Sequence, residues 1–290
     1  METSSTDEPE PKSAGFFLRL VSFAFILIAF FACENRKWQK PEHPVAVKDS
    51  AVIKQTEKQR QDSLKKISIT KMKIYLTFDD GPNKGTRNVL QVVEEEKAPA
   101  TFFVVGVHVY DSPEQLQTWQ LLQADSSIEL CNHSYSHARN RYASFYSNPS
   151  AVVADFQRSQ QALQFNNTIA RMPGRNAWRI DSINHTDIAE SSEAIDSLHA
   201  AGFPVMGWDI EWMFDHKTLA PDTDTALLLR RIHNMLEAGK TRTPGHLVLL
   251  AHDQAFQSAD AVTMLRLVLQ SLKNNPEYEL VLASTYPGVQ

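Results

Sequence analysis

Cysteine is nearly missing from this chain, with only Cys33 and Cys131 among 290 residues. Two thiols make no disulfide framework and no paired Cys-x-x-Cys ribbon, so any bound metal must rely on histidine and carboxylate. A basic balance is missing as well. The formal net charge is -5, and no Lys/Arg cluster with interleaved aromatics offsets it, which excludes the electrostatic footprint of a nucleic-acid binder. There is no internal repeat and no low-complexity tract. Hydrophobic residues make up 42% of the chain and charged residues 22%, enough to bury a sizeable core, so wholesale disorder is excluded too.

One long apolar run is present, from Phe16 to Ala32, interrupted only by Arg19 and Ser22. Its cleanest part, Leu20 to Ala32, is short for a bilayer span of about 20 residues and suits the hydrophobic region of a signal peptide. The run ends in Phe30-Phe31-Ala32-Cys33, which resembles a bacterial lipobox and implies a lipidated Cys33; an uncleaved signal anchor is the alternative. Residues 1–33 are therefore expected to be a signal peptide or membrane anchor, and residues 34–70, polar and without a helical stripe, a linker. Either reading puts residues 71–290 outside the cytoplasm, held to the membrane of the cell envelope by the anchor or the lipid.

From Lys73 onward short apolar runs alternate with longer amphipathic ones. KIYLTF, ATFFVVG, SIELCNH, TIARMPG, FPVMGW, HLVLLAHD and YELVLAS predict seven strands. Six segments between them, from TRNVLQVVEEEK to SADAVTMLRLVLQSLK, carry apolar residues at i, i+3, i+4 spacing and predict helices. Repeated strand-helix units give an α/β fold with a mostly parallel sheet, either open and doubly wound or closed into a barrel. In both, chemistry gathers at the C-terminal ends of the strands.

Polar residues do gather there. The first strand runs into Thr77-Phe78-Asp79-Asp80-Gly81-Pro82, two adjacent carboxylates at an enforced turn. The third ends in His133-Ser134-Tyr135-Ser136-His137, whose histidines, four apart, are expected on one face of a helical turn where both imidazoles can reach one metal ion. Two His and one carboxylate would leave open positions, as a catalytic zinc site requires. After the fourth strand comes Arg171-Met172-Pro173-Gly174-Arg175, and an arginine there can orient a neighbouring carboxylate. The fifth is followed by Trp208-Asp209-Ile210-Glu211-Trp212, two aromatics that could meet a sugar and two acids. The sixth ends in Leu250-Ala251-His252-Asp253. The intervening segment 175–192, with His185 and Asp187, is expected as a loop.

These clusters, in this order, resemble the polysaccharide deacetylases of the NodB-homology group, carbohydrate esterase family 4, over about residues 71 to 290. Thr77 to Pro82 matches the first motif of that family, and His133 to His137 the second. The resemblance implies a distorted (β/α) barrel with about seven parallel strands and removal of N-acetyl groups from an amino-sugar glycan. It implies Asp79 as catalytic base, Asp80, His133 and His137 as ligands of one divalent metal, most often zinc, His252 as general acid and Leu250 as a wall of the acetyl pocket. Arg171 and Asp209 are expected to support the catalytic pair, with Glu211 the other acid open to that task. Tyr135, whose neighbourhood should offer an amide to the oxyanion, Pro173 and Trp212 are expected to meet substrate. The chain departs from the family after Pro173, where an aromatic is usual and Gly174 stands. An O-acetyl esterase and a non-catalytic carbohydrate-binding protein are the competing readings.

Overall fold

The computed structural model describes residues 71–289. Residues 1–70, where an export segment ending at Cys33 and a linker are expected, lie outside the described residues. Among those described, no helix is long and apolar enough to cross a membrane.

The first strand, β1 (Met72–Asp79), is central. It pairs in parallel with β2 (Ala100–Val104) on one side and β9 (His246–His252) on the other, while β10 (Tyr278–Val281) takes its first half. Beyond β2 lies β3 (Ile128–Asn132), and beyond β9 lies β6 (Ile210–Trp212), so the main sheet runs β3-β2-β1-β9-β6. The pairing continues past β3 through single bridges, Asn132 to Ala170 and Ala170 to Val205. The segment that bridges at Val205 returns a few residues later as β6 beside β9, which brings the ring of pairings back on itself. The result is the α/β, distorted-barrel architecture expected. The runs TIARMPG and FPVMGW, expected as full strands, contribute only these bridges and one antiparallel bridge from Val205 to Arg179.

Seven helices are described: α1 (Thr86–Glu96), α2 (Pro113–Ala124), α3 (Tyr142–Tyr146), α4 (Pro149–Leu163), α5 (Ser192–Ala200), α6 (Thr225–Glu237) and α7 (Ala259–Asn274). Six follow the amphipathic segments, and the one-turn α3 is additional. Four start where a side chain caps them: Ser112, Asn148, Asp224 and Ser258 each accept from the amide three residues on, one of the orphan donors that a helix start leaves. Segment 175–192, expected as a loop, instead folds into an antiparallel hairpin of β4 (Ala177–Ile180) and β5 (Ile183–Thr186), with Asp181 at φ 49° in its turn. A second small hairpin joins β7 (Phe214–Asp215) and β8 (Ala220–Pro221).

Strand alternation decides what faces the barrel interior, because side chains on a strand alternate between the two faces. On β1, Ile74, Leu76 and Phe78 pack outward into the core shared with α1, α6 and α7. Tyr75 points the other way, into an inner core with Phe103, Cys131, Trp178, Met206, Val248 and Tyr286. By the same alternation Thr77 and Asp79 face inward. On β9, Leu247, Leu249 and Ala251 face out, leaving Val248 and His252 inside. Asp79 and His252 are register partners across the β1–β9 pair, so the two sit side by side at one rim.

Candidate metal centre and catalytic rim

Asp79 ends β1 almost fully buried, at 2% exposure, and burying a carboxylate is costly unless it is paired. Arg171 supplies the partner. Its guanidinium has no exposure, and Nη1 donates to Asp79 Oδ1 at 2.8 Å and to Thr77 Oγ1 at 2.8 Å. The remaining donors are used as well, Nε on the Met206 carbonyl at 3.1 Å and Nη2 on the Gly207 carbonyl at 2.9 Å. Phe103 lies flat under the guanidinium, 4.0 Å from its ring centroid. With Oδ1 so occupied, the other carboxylate oxygen of Asp79 is left toward the cleft, 3.7 Å from His133 Nε2.

Asp80 turns away from the strand at φ 76°, and His108 Nδ1 donates to its carbonyl at 2.8 Å. That turn brings its carboxylate to two imidazoles: Oδ1 is 3.1 Å from His137 Nε2 and 3.5 Å from His133 Nε2. Asp80, His133 and His137 each offer one ligand atom within 4.8 Å of the others. The tautomer of His133 follows from its other nitrogen. Nδ1 lies 2.9 Å from the Arg171 carbonyl, which can only accept, so Nδ1 carries the proton and Nε2 faces Asp80 with a lone pair. Asp80 Oδ1 is buried and has no hydrogen-bond partner. Two imidazole nitrogens and a carboxylate oxygen converging in this way are a donor set that fits a divalent ion.

The titration behaviour carries the same message. Burial alone would raise the Asp80 carboxyl, but His133 and His137, with a smaller contribution from His252, hold it well below the usual carboxylate range. Burial opposes protonation of His133, yet the charges of Asp79 and Asp80 outweigh it and push that imidazole up. A proton thus competes for the place of the ion.

The two histidines were expected on a helical turn and are not. His133 follows β3 in extended chain, and His137 to Asn140 form a left-handed turn with φ of 49°, 54°, 47° and 57°. Ring centroids of the pair are 5.1 Å apart. Left-handed conformations disfavour L-residues, so this loop needs support. Ser134 Oγ accepts from the His137 amide at 3.0 Å, and Asp155 on α4 accepts from the amides of Tyr135 and Ser136, each at 3.0 Å. Asp155 and His108 are the positioning residues that sequence reasoning missed, since neither belongs to a motif.

A cleft of about 470 Å³ opens over these groups. Leu250 and His252 line it as expected, together with Asp187, Tyr142, Gly174, Trp208, Glu211 and Phe214. Four expectations need correction. Asp209 accepts from the backbone amides of Arg242 at 2.6 Å and Val248 at 2.8 Å, so it fastens chain segments. Glu211 is the acid beside His252, with Oε1 3.9 Å from Nδ1. Trp212 is buried in the outer core against Phe256 and donates to the Thr223 carbonyl, because its neighbour Glu211 takes the inward face of β6; Trp208 is the indole of the cleft. Tyr135 has its amide committed to Asp155 and its ring under Arg158, 3.6 Å from the centroid, and is not part of the cleft wall. Pro173 contributes its carbonyl to Tyr146, at 2.6 Å, while its neighbours Met172 and Gly174 line the cleft.

Behind the rim, Asp253 is buried and accepts from Asn83 and Thr86, tying the end of β9 to the loop after β1. Burial pushes its carboxyl up to about 7. It approaches Gly81 so closely that a Cβ there has no room.

A family model described as polysaccharide deacetylase matches residues 66–174, the stretch that holds Asp79, the three clustered ligands and Arg171. Over that stretch the chain is similar to the polysaccharide deacetylase family. Among proteins similar to this chain, a chitooligosaccharide deacetylase of Rhizobium leguminosarum bv. trifolii is 45% identical over 65 residues, 22% of this chain and 28% of that protein. The match thus spans little more than a quarter of that relative. A peptidoglycan-N-acetylglucosamine deacetylase of Bacillus cereus is 26% identical over 200 residues, covering 69% of this chain and 65% of the other. The fold is also that of a solved Bacillus anthracis protein described as a family pseudoenzyme, with a TM-score of 0.51 and 17% identity over 74% of this chain and 65% of that one.

Proposed function

We propose that this protein is a zinc-dependent hydrolase that removes N-acetyl groups from an amino-sugar polymer or oligomer of the cell envelope. The observation that carries the reading is the pairing of Asp79 and His252 at register-matched positions beside the Asp80, His133 and His137 cluster. A base, an acid and an ion site on one rim are what amide hydrolysis needs. The N-acetylated substrate is supported by the activities for which the Rhizobium and Bacillus cereus relatives are named. Placement outside the cytoplasm rests on the apolar run before Cys33.

Asp80, His133 and His137 would hold the ion, which when bound polarises the acyl carbonyl and the attacking water. Asp79 takes the proton of that water on the oxygen not held by Arg171. His252 gives a proton to the departing nitrogen. The Tyr135 amide is already used by Asp155, at 3.0 Å, and does not serve the developing oxyanion.

Glu211 gives this mechanism a pH signature. Burial raises its carboxyl, and attraction to His252 partly offsets that. While ionised it sets a negative charge beside the imidazole assigned as general acid, Oε1 3.9 Å from Nδ1. Glu211→Gln should therefore move the alkaline limb of the kcat/KM profile to lower pH, read from acetate release across a pH series. An unmoved limb removes Glu211 from this role.

The deciding experiment is acetate release from N-acetylglucosamine oligomers, from an O-acetylated glycan and from neither, before and after chelation and with zinc restored. Release from the oligomers that chelation abolishes and zinc restores supports the reading. Release from the ester alone makes the protein an O-acetyl esterase. Glycan binding without any release makes it a non-catalytic member, like the Bacillus anthracis pseudoenzyme.

A further inference from the structure

Tyr142 belongs to none of the motifs, yet its ring is among the most closely defined parts of the cleft wall. It stands at the start of α3 and meets the His137 imidazole edge-on, with centroids 6.0 Å apart and planes at 85°. On another side lies Gly174. A Cβ at that position would come within 3.1 Å of two Tyr142 ring carbons, closer than side chains ordinarily approach. Gly174 also sits at φ +61°, where a side chain is disfavoured in any case. Two features therefore keep position 174 bare, and the ring of Tyr142 takes the room. The Arg175 guanidinium lies 5.5 Å from the ring centroid, and the hydroxyl reaches Asn140 Oδ1 at 3.4 Å, at the exposed rim.

The ring is thus apolar in body, fixed by its neighbours, polar at its outer tip and half-buried in a cleft whose floor holds the ion site. An aromatic so placed is suited to the C–H face of a pyranose, with its hydroxyl among the sugar's own. We propose that Tyr142 is the stacking platform that fixes the acetamido sugar beside the ion site, and that glycine stands at 174 to admit it. The proposal rests on the glycan reading above and adds the residue that sets the pose.

The test uses the full chain carrying Asp79→Asn, so that N-acetylglucosamine oligomers bind without turnover. Calorimetric Kd is compared for this background and for Tyr142→Ala, Tyr142→Phe and Gly174→Ala added to it, with zinc content measured in each. Tyr142→Ala and Gly174→Ala should weaken binding about tenfold, and Tyr142→Phe no more than about twofold, at equal zinc content. Equal Kd for Tyr142→Ala and the background overturns the proposal. So does weak binding that tracks zinc loss, since the ring would then only brace His137. A background that binds no oligomer overturns both this proposal and the amino-sugar reading, whereas a binding background with an indifferent Tyr142→Ala overturns this one alone.

Discussion

Asp79→Asn should keep a divalent ion at the three-ligand site and, on the proposed deacetylase reading, lose about 10² to 10⁴ in acetate release, the range that general acid–base groups contribute. Retention of the ion follows from geometry: the three clustered ligand atoms belong to Asp80, His133 and His137, and Asp79 is not one of them. Loss of rate follows from chemistry, since an amide of the same shape cannot take a proton. The Arg171 contact would survive in part, because Asn Oδ1 still accepts the 2.8 Å bond from Nη1. The fold should therefore be little disturbed, and zinc content, melting temperature and rate separate the outcomes cleanly. An Asp79→Asn variant that turns over at the parental rate would sink the assignment of the base. One that loses zinc would make Asp79 a fourth ligand instead.

Arg171→Met should destabilise the domain by about 3–5 kcal/mol, the usual cost of removing one partner from a buried ion pair. Five interactions go at once: the bonds to Asp79, Thr77 and the carbonyls of Met206 and Gly207, and the stacking on Phe103. Asp79 would be left charged and almost without solvent. For a domain of this size the loss corresponds to a melting temperature roughly 6–20 °C lower. Adding Asp79→Asn should recover part of it, since the stranded charge is then gone, and the two single variants with the double variant close a cycle that gives the coupling energy of the pair. An Arg171→Met melting point within about 2 °C of the parent would show that the network carries no net stability.

The parts of this molecule legible in the sequence are those where a simple period meets a single environment. Strand β1 is buried on both faces, and its outward set of Ile74, Leu76 and Phe78 leaves Asp79 inward by counting alone. The helices at 113–124, 149–163 and 259–274 announce their starts through a polar cap. The misreadings come from degeneracy. A histidine pair four apart fits a right-handed turn, and nothing in His-Ser-Tyr-Ser-His says that the chain goes left-handed, since the stabilising carboxylate, Asp155, lies on a helix further along. In Trp-Asp-Ile-Glu-Trp the alternation was decisive but its phase was hidden. Once Ile210 and Trp212 are known to face the outer core, Glu211 must face the cleft. The β4–β5 hairpin lacks a clean alternating pattern because Arg179, buried at 5% exposure, is satisfied by the His185 and Trp178 carbonyls and by Asp196.

That alternation along β1 has a consequence for how the gene can change. Length in the stretch before Asp79 is as constrained as residue identity, because gaining or losing a single codon there exchanges the faces of everything that follows up to the next bulge. Phe78 would be turned into the cleft and Asp79 into the apolar layer under α7, with Asp80 carried out of reach of both imidazoles. Insertions should therefore accumulate in connections away from the cleft, such as the turn between α7 and β10, while the inner strands change only letter by letter.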